Sequence, residues 1–279
     1  MATNSRVSID PITPNVGAIA SGVDLREPLD AGTVSELRAA LLQHGVLFFR
    51  GQDITREQTA HFLSQFGELS TDPFSVAALA PPTLDSSVHD MPTYGNARAT
   101  QVWHMDSTLA PAPAAFISLR ALQLPPTGGG DTCFGSMYAA YETLSEAVRA
   151  FIDGLEAEHS AYKTLPLLGG SNTAYLQEEM RNVHPVVRVH PETGRKALFV
   201  NELWTERLVG MSQHESDSIL AMLWKHSASP EFTMRWRWQV NDIAIFDNRS
   251  FQHYAVNDYA GNRVLQKGYV QGDRPYGPK

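Results

Sequence analysis

His104 and Asp106, in the stretch Trp103-His104-Met105-Asp106, stand two residues apart. In an extended segment they face the same side, because strand side chains alternate with period two. An imidazole and a carboxylate on one face can hold two positions on one metal ion. A second imidazole from a distant segment would complete a two-histidine, one-carboxylate facial triad with three coordination positions open. His253, in Phe246-Asp247-Asn248-Arg249-Ser250-Phe251-Gln252-His253-Tyr254, is the candidate. Open positions suit a reactive iron, which a co-substrate and dioxygen must both reach, whereas a structural zinc normally closes four ligands. With ten histidines in the chain, an H-x-D pair alone is more often a surface pair than a ligand pair. The neighbouring sequence decides its meaning.

Short strands with turns are expected over residues 7–30. Thr33-Val34-Ser35-Glu36 reads as a capping box ahead of Leu37, Leu41 and Leu42 at helical spacing, and Gly45 ends that helix. Val46-Leu47-Phe48-Phe49 is a compact buried strand. Thr55-Arg56-Glu57-Gln58 opens a second helix, which runs to about Phe66. Residues 70–100 lack periodicity and precede the H-x-D, which suggests a lid over the site. Residues 115–122 form a strand. Gly128-Gly129-Gly130 permits backbone angles closed to other residues and can bring the chain close to a ligand. That turn lacks the lysine and hydroxyl of a phosphate-binding loop. Helices are expected over about 136–158 and after the cap Ser212-Gln213-His214-Glu215. The remainder is strand-rich: 197–200, 232–238, 242–247 and 264–270.

Neither a repeat nor a Gly/Ser-rich linker divides the 279 residues, so one domain spanning 1–279 is expected. Hydrophobic content is 43% and charged content 19%, ordinary for a globular chain with a core. The single cysteine, Cys133, excludes an internal disulfide and fits a reducing cytoplasm. No apolar run is long enough to span a membrane. A net charge of −8 argues against a general nucleic-acid role. The expected partner is a small molecule, and a homo-oligomer stays open.

Gly22-Val23-Asp24-Leu25, Phe48-Phe49-Arg50-Gly51-Gln52, Trp103-His104-x-Asp106, Gly129-Gly130-Asp131-Thr132, His184-Pro185-Val186-Val187-Arg188, residues 194–201, Arg235-Trp236-Arg237-Trp238 and Asp247-Asn248-Arg249-x-x-Gln252-His253 occur in that order. Together they make the chain resemble the taurine and 2,4-dichlorophenoxyacetate dioxygenases, which depend on Fe(II), 2-oxoglutarate and O2. The resemblance covers nearly the whole chain. It implies an α+β fold whose core is a double-stranded β-helix, or jelly roll, with flanking helices. It implies that His104, Asp106 and His253 ligate Fe(II). Arg263, ten residues after His253, would then pair with the far carboxylate of 2-oxoglutarate, assisted by the Thr132 hydroxyl. The implied reaction hydroxylates a C–H bond and releases succinate and CO2. Retention of Asp106 favours hydroxylation over halogenation.

Two pocket positions depart from members that act on taurine. Asp72 stands in place of a histidine, and Lys267 in place of a sulfonate-binding arginine, offering a point charge rather than a fork. Trp204 and Ser107 complete the candidate substrate contacts, Trp204 pointing to an apolar or aromatic substrate body. The leading expectation is hydroxylation of a small, acidic organic substrate. A rival is oxidative cleavage of a sulfonate, sulfate ester or aryloxyalkanoate by hydroxylation next to the heteroatom. A rival of another class is a non-catalytic jelly-roll metal-binding protein.

Overall fold

The computed structural model describes residues 7–71, 87–94, 101–161 and 181–279. Its largest sheet has eight strands. Ser8–Pro11, Ala18–Ser21, Val46–Phe49, Ile243–Asp247, Phe116–Gln123 and Asn262–Val270 lie side by side in that order. Leu69–Ser70 and Val88–Tyr94 both pair with the outer edge of Asn262–Val270. The apolar runs in the central strands follow from burial on both faces. Val46 and Phe48 enter one core cluster, while Leu47 and Phe49 enter the other. Ala244 and Phe246 likewise part from Ile243 and Ile245.

Helices Ala31–His44 and Arg56–Ser64 cover one face through Leu37, Leu41, Phe62 and Leu63. The opposite face meets a three-stranded sheet, with Thr132–Ser136 between Thr233–Trp236 and Phe251–Ala255. Aromatic rings join the two: Phe48 stacks on Trp236 at 3.8 Å between centroids, and Phe134 meets Phe246 edge-on at 5.4 Å. A further small sheet sets Glu156–Ser160 between Thr205–Leu208 and Arg181–Pro185. The architecture is α+β. Among the described residues, no helix is long and apolar enough to cross a membrane.

Three local expectations change. The first helix is capped by Asp30, whose Oδ1 accepts from Thr33 N at 3.0 Å, so Thr33 lies inside the helix. Aspartate caps as well as threonine does and adds a charge favourable to the helix N-terminus. The helical stretch expected over 136–158 divides into Met137–Glu142 and Glu146–Ile152, and 156–160 is strand. Glu156–Ser160 is held as a strand by pairing on both sides. Within the expected lid, 72–86 and 95–100 lie outside the described residues, and Val88–Tyr94 is an edge strand. Pro92 is tolerated there, since an edge strand can dispense with one ladder donor.

The turn between Ile243–Asp247 and Phe251–Ala255 carries the chain from the large sheet to the small one. A buried charge network pins it. Arg249 Nε and Nη2 donate to the Asp247 carboxylate at 2.9 and 2.7 Å, and His190 Nε2 lies 2.9 Å from Asp247 Oδ2. Arg249 Nη1 donates to Glu192, which also accepts from Arg38. Burial disfavours ionisation of Asp247, but Arg249 and His190 outweigh it and hold the carboxyl well below the usual range. At the same junction Gly45 ends the first helix with φ +74°; a Cβ there would lie 2.0 Å from the Phe251 ring.

Breaking this network leaves a buried guanidinium short of its carboxylate. Asp247→Asn should therefore cost about 3–5 kcal/mol in chemical denaturation at neutral pH. Because the folded pKa is depressed, the carboxylate's contribution is complete above the unfolded value of about 3.9 and fades as pH falls towards the folded value. The difference between wild type and variant should accordingly shrink below about pH 4. Equal stabilities at pH 7 would show that the network does not support the turn.

Candidate metal and co-substrate site

His104 reaches its place through one reciprocal backbone bridge rather than a strand. Its N–H donates to His253 O at 2.9 Å, and His253 N–H returns the bond to His104 O at 2.8 Å. The two imidazole centroids lie 4.1 Å apart. His253 is fixed from the other side by Phe251–Ala255 pairing with Thr132–Ser136, and by the Phe246 ring at 5.0 Å. Asp106 sits in the turn after the bridge. Its N–H donates to Asn248 Oδ1 at 2.8 Å, while Asn248 Nδ2 donates to Asp106 O and Ala114 O. Ser107 follows with φ +62°, a left-handed backbone uncommon outside glycine. The expected convergence of His104 and Asp106 occurs, but a bridge and a turn produce it.

The donor atoms of His104, Asp106 and His253 lie within 4.8 Å of one another. His104 Nε2 is 3.8 Å from Asp106 Oδ1, and His253 Nε2 is 3.6 Å from Asp106 Oδ2. His104 Nδ1 faces Val102 O at 2.8 Å; a carbonyl only accepts, so Nδ1 carries the proton and Nε2 presents its lone pair to the cluster. Burial lowers the pKa of both histidines, keeping them in the neutral form that binds metal. Burial also disfavours the Asp106 charge, but the Lys267 ammonium outweighs it and holds the carboxyl well below the usual range. Two neutral imidazoles and one buried carboxylate, with Oδ2 lacking an aligned hydrogen bond, fit a divalent cation.

Beside this cluster, Asn262–Val270 turns Arg263, Leu265, Lys267 and Tyr269 to one face by strand alternation; Leu265 and Tyr269 join the core between the sheets. Arg263 is buried, donating through Nε to Gly130 O at 2.7 Å and through Nη2 to Thr132 Oγ1 at 3.3 Å. Trp238 Nε1 also donates to Thr132 Oγ1, at 2.9 Å. With two bonds accepted, the Thr132 hydroxyl keeps its O–H to donate. The glycine turn makes this possible: Gly130 has φ +72°, and a Cβ there would approach Arg263 Cδ to 2.9 Å. Asp258 holds the turn by accepting from Gly130 N at 2.9 Å, and Arg235 bridges Asp131 and Asp258 at 2.6 Å each. A recess lined by Thr93, Gln101, Asn257, Tyr259 and Arg263 opens beside it.

The candidate substrate residues separate. Lys267 lies against the His104–Asp106–His253 cluster, its Nζ 2.6 Å from Asp106 Oδ2, an ion pair off the axis of a well-aligned hydrogen bond. Trp204 is buried in a small apolar cluster with Leu109, Ala161 and Leu203, against which Val102 packs. That cluster flanks both ends of the segment bearing His104 and Asp106. Ser107 is buried beside Asp106. Asp72 lies outside the described residues.

Sequence reasoning assigned no role to Asn248, Trp238 or the Arg235–Asp258 clamp. Asn248 and Trp238 stand within the quoted motifs, yet an asparagine that sews two loops looks no different from any other turn asparagine. The Lys267–Asp106 pair had no signal at all in the spacing.

Residues 8–269 match the family model described as "Taurine catabolism dioxygenase TauD, TfdA family". An alkylsulfatase of Acinetobacter baylyi is 35% identical over 96% of this chain and 86% of its own length. An α-ketoglutarate-dependent sulfate ester dioxygenase of Pseudomonas putida is 35% identical over 97% and 91%. The crystal structure of a taurine dioxygenase from Burkholderia xenovorans superposes with a TM-score of 0.82 at 36% identity, covering 98% of this chain and 91% of that one. The resemblance seen in the sequence motifs is thus carried by the whole chain, and a non-catalytic binding protein is set aside. The chain belongs to the TauD/TfdA family of dioxygenases, enzymes that work with Fe(II), 2-oxoglutarate (α-ketoglutarate) and O2 on small-molecule substrates.

Proposed function

We propose that His104, Asp106 and His253 hold the Fe(II), that Arg263 and Thr132 hold the far carboxylate of 2-oxoglutarate, and that the substrate is a small anion with an apolar body, an alkyl sulfate ester foremost. The convergence of the three donor side chains within 4.8 Å carries this reading. When bound, the iron supplies oxidative decarboxylation of 2-oxoglutarate to succinate and CO2, coupled to hydroxylation of a substrate C–H. The protein's own part is to bind and orient. Arg263 is aimed by Gly130 O and, with the Thr132 O–H, offers a cation and a hydroxyl donor to one carboxylate. The buried cluster of Trp204, Leu109 and Leu203, which brackets the segment of His104 and Asp106 through Val102 and Leu109, is the reading's apolar wall, and Lys267 supplies a cation for the acidic group.

Two relatives named for sulfate esters favour that substrate class. Hydroxylation at the carbon bearing the ester oxygen gives a product that collapses to an aldehyde and sulfate. A sulfonate, an aryloxyalkanoate, or a simple acid yielding a stable alcohol would use the same cation and wall. The reading takes the paired sheets as a double-stranded β-helix within one domain, places the enzyme in the cytoplasm on its lone cysteine, and allows a homo-oligomer. The net charge of −8 argues against a nucleic-acid partner.

His253→Ala should abolish substrate-dependent succinate formation and weaken Mn(II) binding, with the far-ultraviolet circular dichroism unchanged; wild-type succinate formation at saturating iron would remove His253 from the ligand set. Arg263→Ala should raise the 2-oxoglutarate KM tens- to thousands-fold, as roughly 2–5 kcal/mol is lost with a secluded charge partner. An unchanged KM would assign the role to another cation. For the substrate, hexyl sulfate, taurine, an aryloxypropionate and hexanoate are to be compared by stimulated succinate release. Sulfate and aldehyde should appear with hexyl sulfate, and preference for taurine over all others would overturn the sulfate-ester assignment.

A further inference from the structure

Lys267 is 5% exposed, and its ammonium is 2.6 Å from the Asp106 oxygen that also faces His253 Nε2 at 3.6 Å. The carboxylate proposed to hold the metal is therefore also the ion-pair partner of a buried lysine. Among the described residues, no other ion pair is recorded for Lys267. A divalent cation between the two imidazoles draws on the same carboxylate charge. Two cations crowded onto one buried carboxylate repel, and the less firmly held must give way. Lysine can do so: its head is a point charge on four flexible carbons. The backbone is held, because Lys267 lies in a strand paired on both sides, opposite Leu119 on one and His89 on the other. Only the side chain is free to move.

We propose that Lys267 is an exchangeable counter-ion. Its ammonium pairs with Asp106 until a divalent cation takes the carboxylate, and then turns to the acidic group of the substrate. Lys267 thereby weakens metal binding in the resting enzyme and makes metal and anionic substrate each strengthen the other's binding. The coupling is reciprocal by thermodynamic necessity, since metal binding releases the cation that the substrate needs, and substrate binding removes the competitor that the metal meets. An arginine fork would hold the carboxylate through two bonds and exchange less readily. This inference rests on the metal-site reading above and goes beyond it by linking occupancy of the metal and substrate sites.

The test is Mn(II) binding under nitrogen with 2-oxoglutarate present, followed by electron paramagnetic resonance of free Mn(II), with and without saturating hexyl sulfate. The proteins are wild type, Lys267→Met, Lys267→Gln and His253→Ala. Lys267→Met should bind Mn(II) about ten-fold tighter than wild type, and the gain in Mn(II) affinity that hexyl sulfate gives wild type, of the order of five-fold or more, should vanish. Lys267→Gln should behave alike and stands in if the methionine variant does not fold. If wild type and both Lys267 variants bind Mn(II) equally while His253→Ala binds it weakly, the counter-ion role is wrong and the metal site stands. If His253→Ala binds Mn(II) as wild type does, the metal-site reading itself falls, and this inference with it.

Discussion

A buried carboxylate has to be matched by positive charge, and Asp106 is the point at which that requirement governs the structure. Its side chain is almost wholly inside the protein, with the Lys267 ammonium 2.6 Å away as its positive partner and two neutral imidazoles close by. Burial of an isolated ion costs several kcal/mol even after relaxation, so everything around Asp106 must hold its partners in place. The His104–His253 bridge, the Asn248 side chain and the paired strand Phe251–Ala255 do so from three directions. A cluster so arranged is ready for a divalent cation before one arrives, because the imidazoles are neutral and one of them is already fixed in the metal-binding tautomer.

The remaining architecture serves to keep two sheets in register across that point. One face of Asn262–Val270 carries both Arg263 and Lys267, four residues apart, so the same strand that aims one cation at Thr132 aims another at Asp106. The glycine turn 128–130 lets backbone approach Arg263, and the Arg235–Asp258 clamp holds that turn from outside. The Asp247–Arg249 network fixes the turn that leads into the strand of His253. Each device controls the direction of one functional side chain.

Much of this was legible in the sequence, for identifiable reasons. Strands buried on both faces announce themselves as Val46-Leu47-Phe48-Phe49 does, and the capping boxes at Thr55 and Ser212 were realised as read. The H-x-D pair, the distal histidine and Arg263 could be placed because motif order brings a resemblance with it. What escaped was contact between residues far apart in the chain. Asp30 displaced Thr33 as a cap because two good capping residues stood three apart, and only the backbone path chooses between them. Residues 156–160 read as the tail of a helix in sequence because their strand partners, 181–185 and 205–208, come later. Lys267 was placed on the substrate through a family position, whereas the fold also brings it to Asp106, a pairing across 161 residues that no periodicity encodes.

The central claim is that these three side chains form one metal site with the co-substrate anchored at Arg263. A crystal structure of the protein grown with Mn(II) and 2-oxoglutarate without oxygen tests it most directly. The account predicts one metal ion directly coordinated by His104 Nε2, an Asp106 oxygen and His253 Nε2, with the far carboxylate of 2-oxoglutarate bonded to Arg263 and Thr132. A metal bound elsewhere, or a co-substrate whose carboxylate lies away from Arg263, would contradict it.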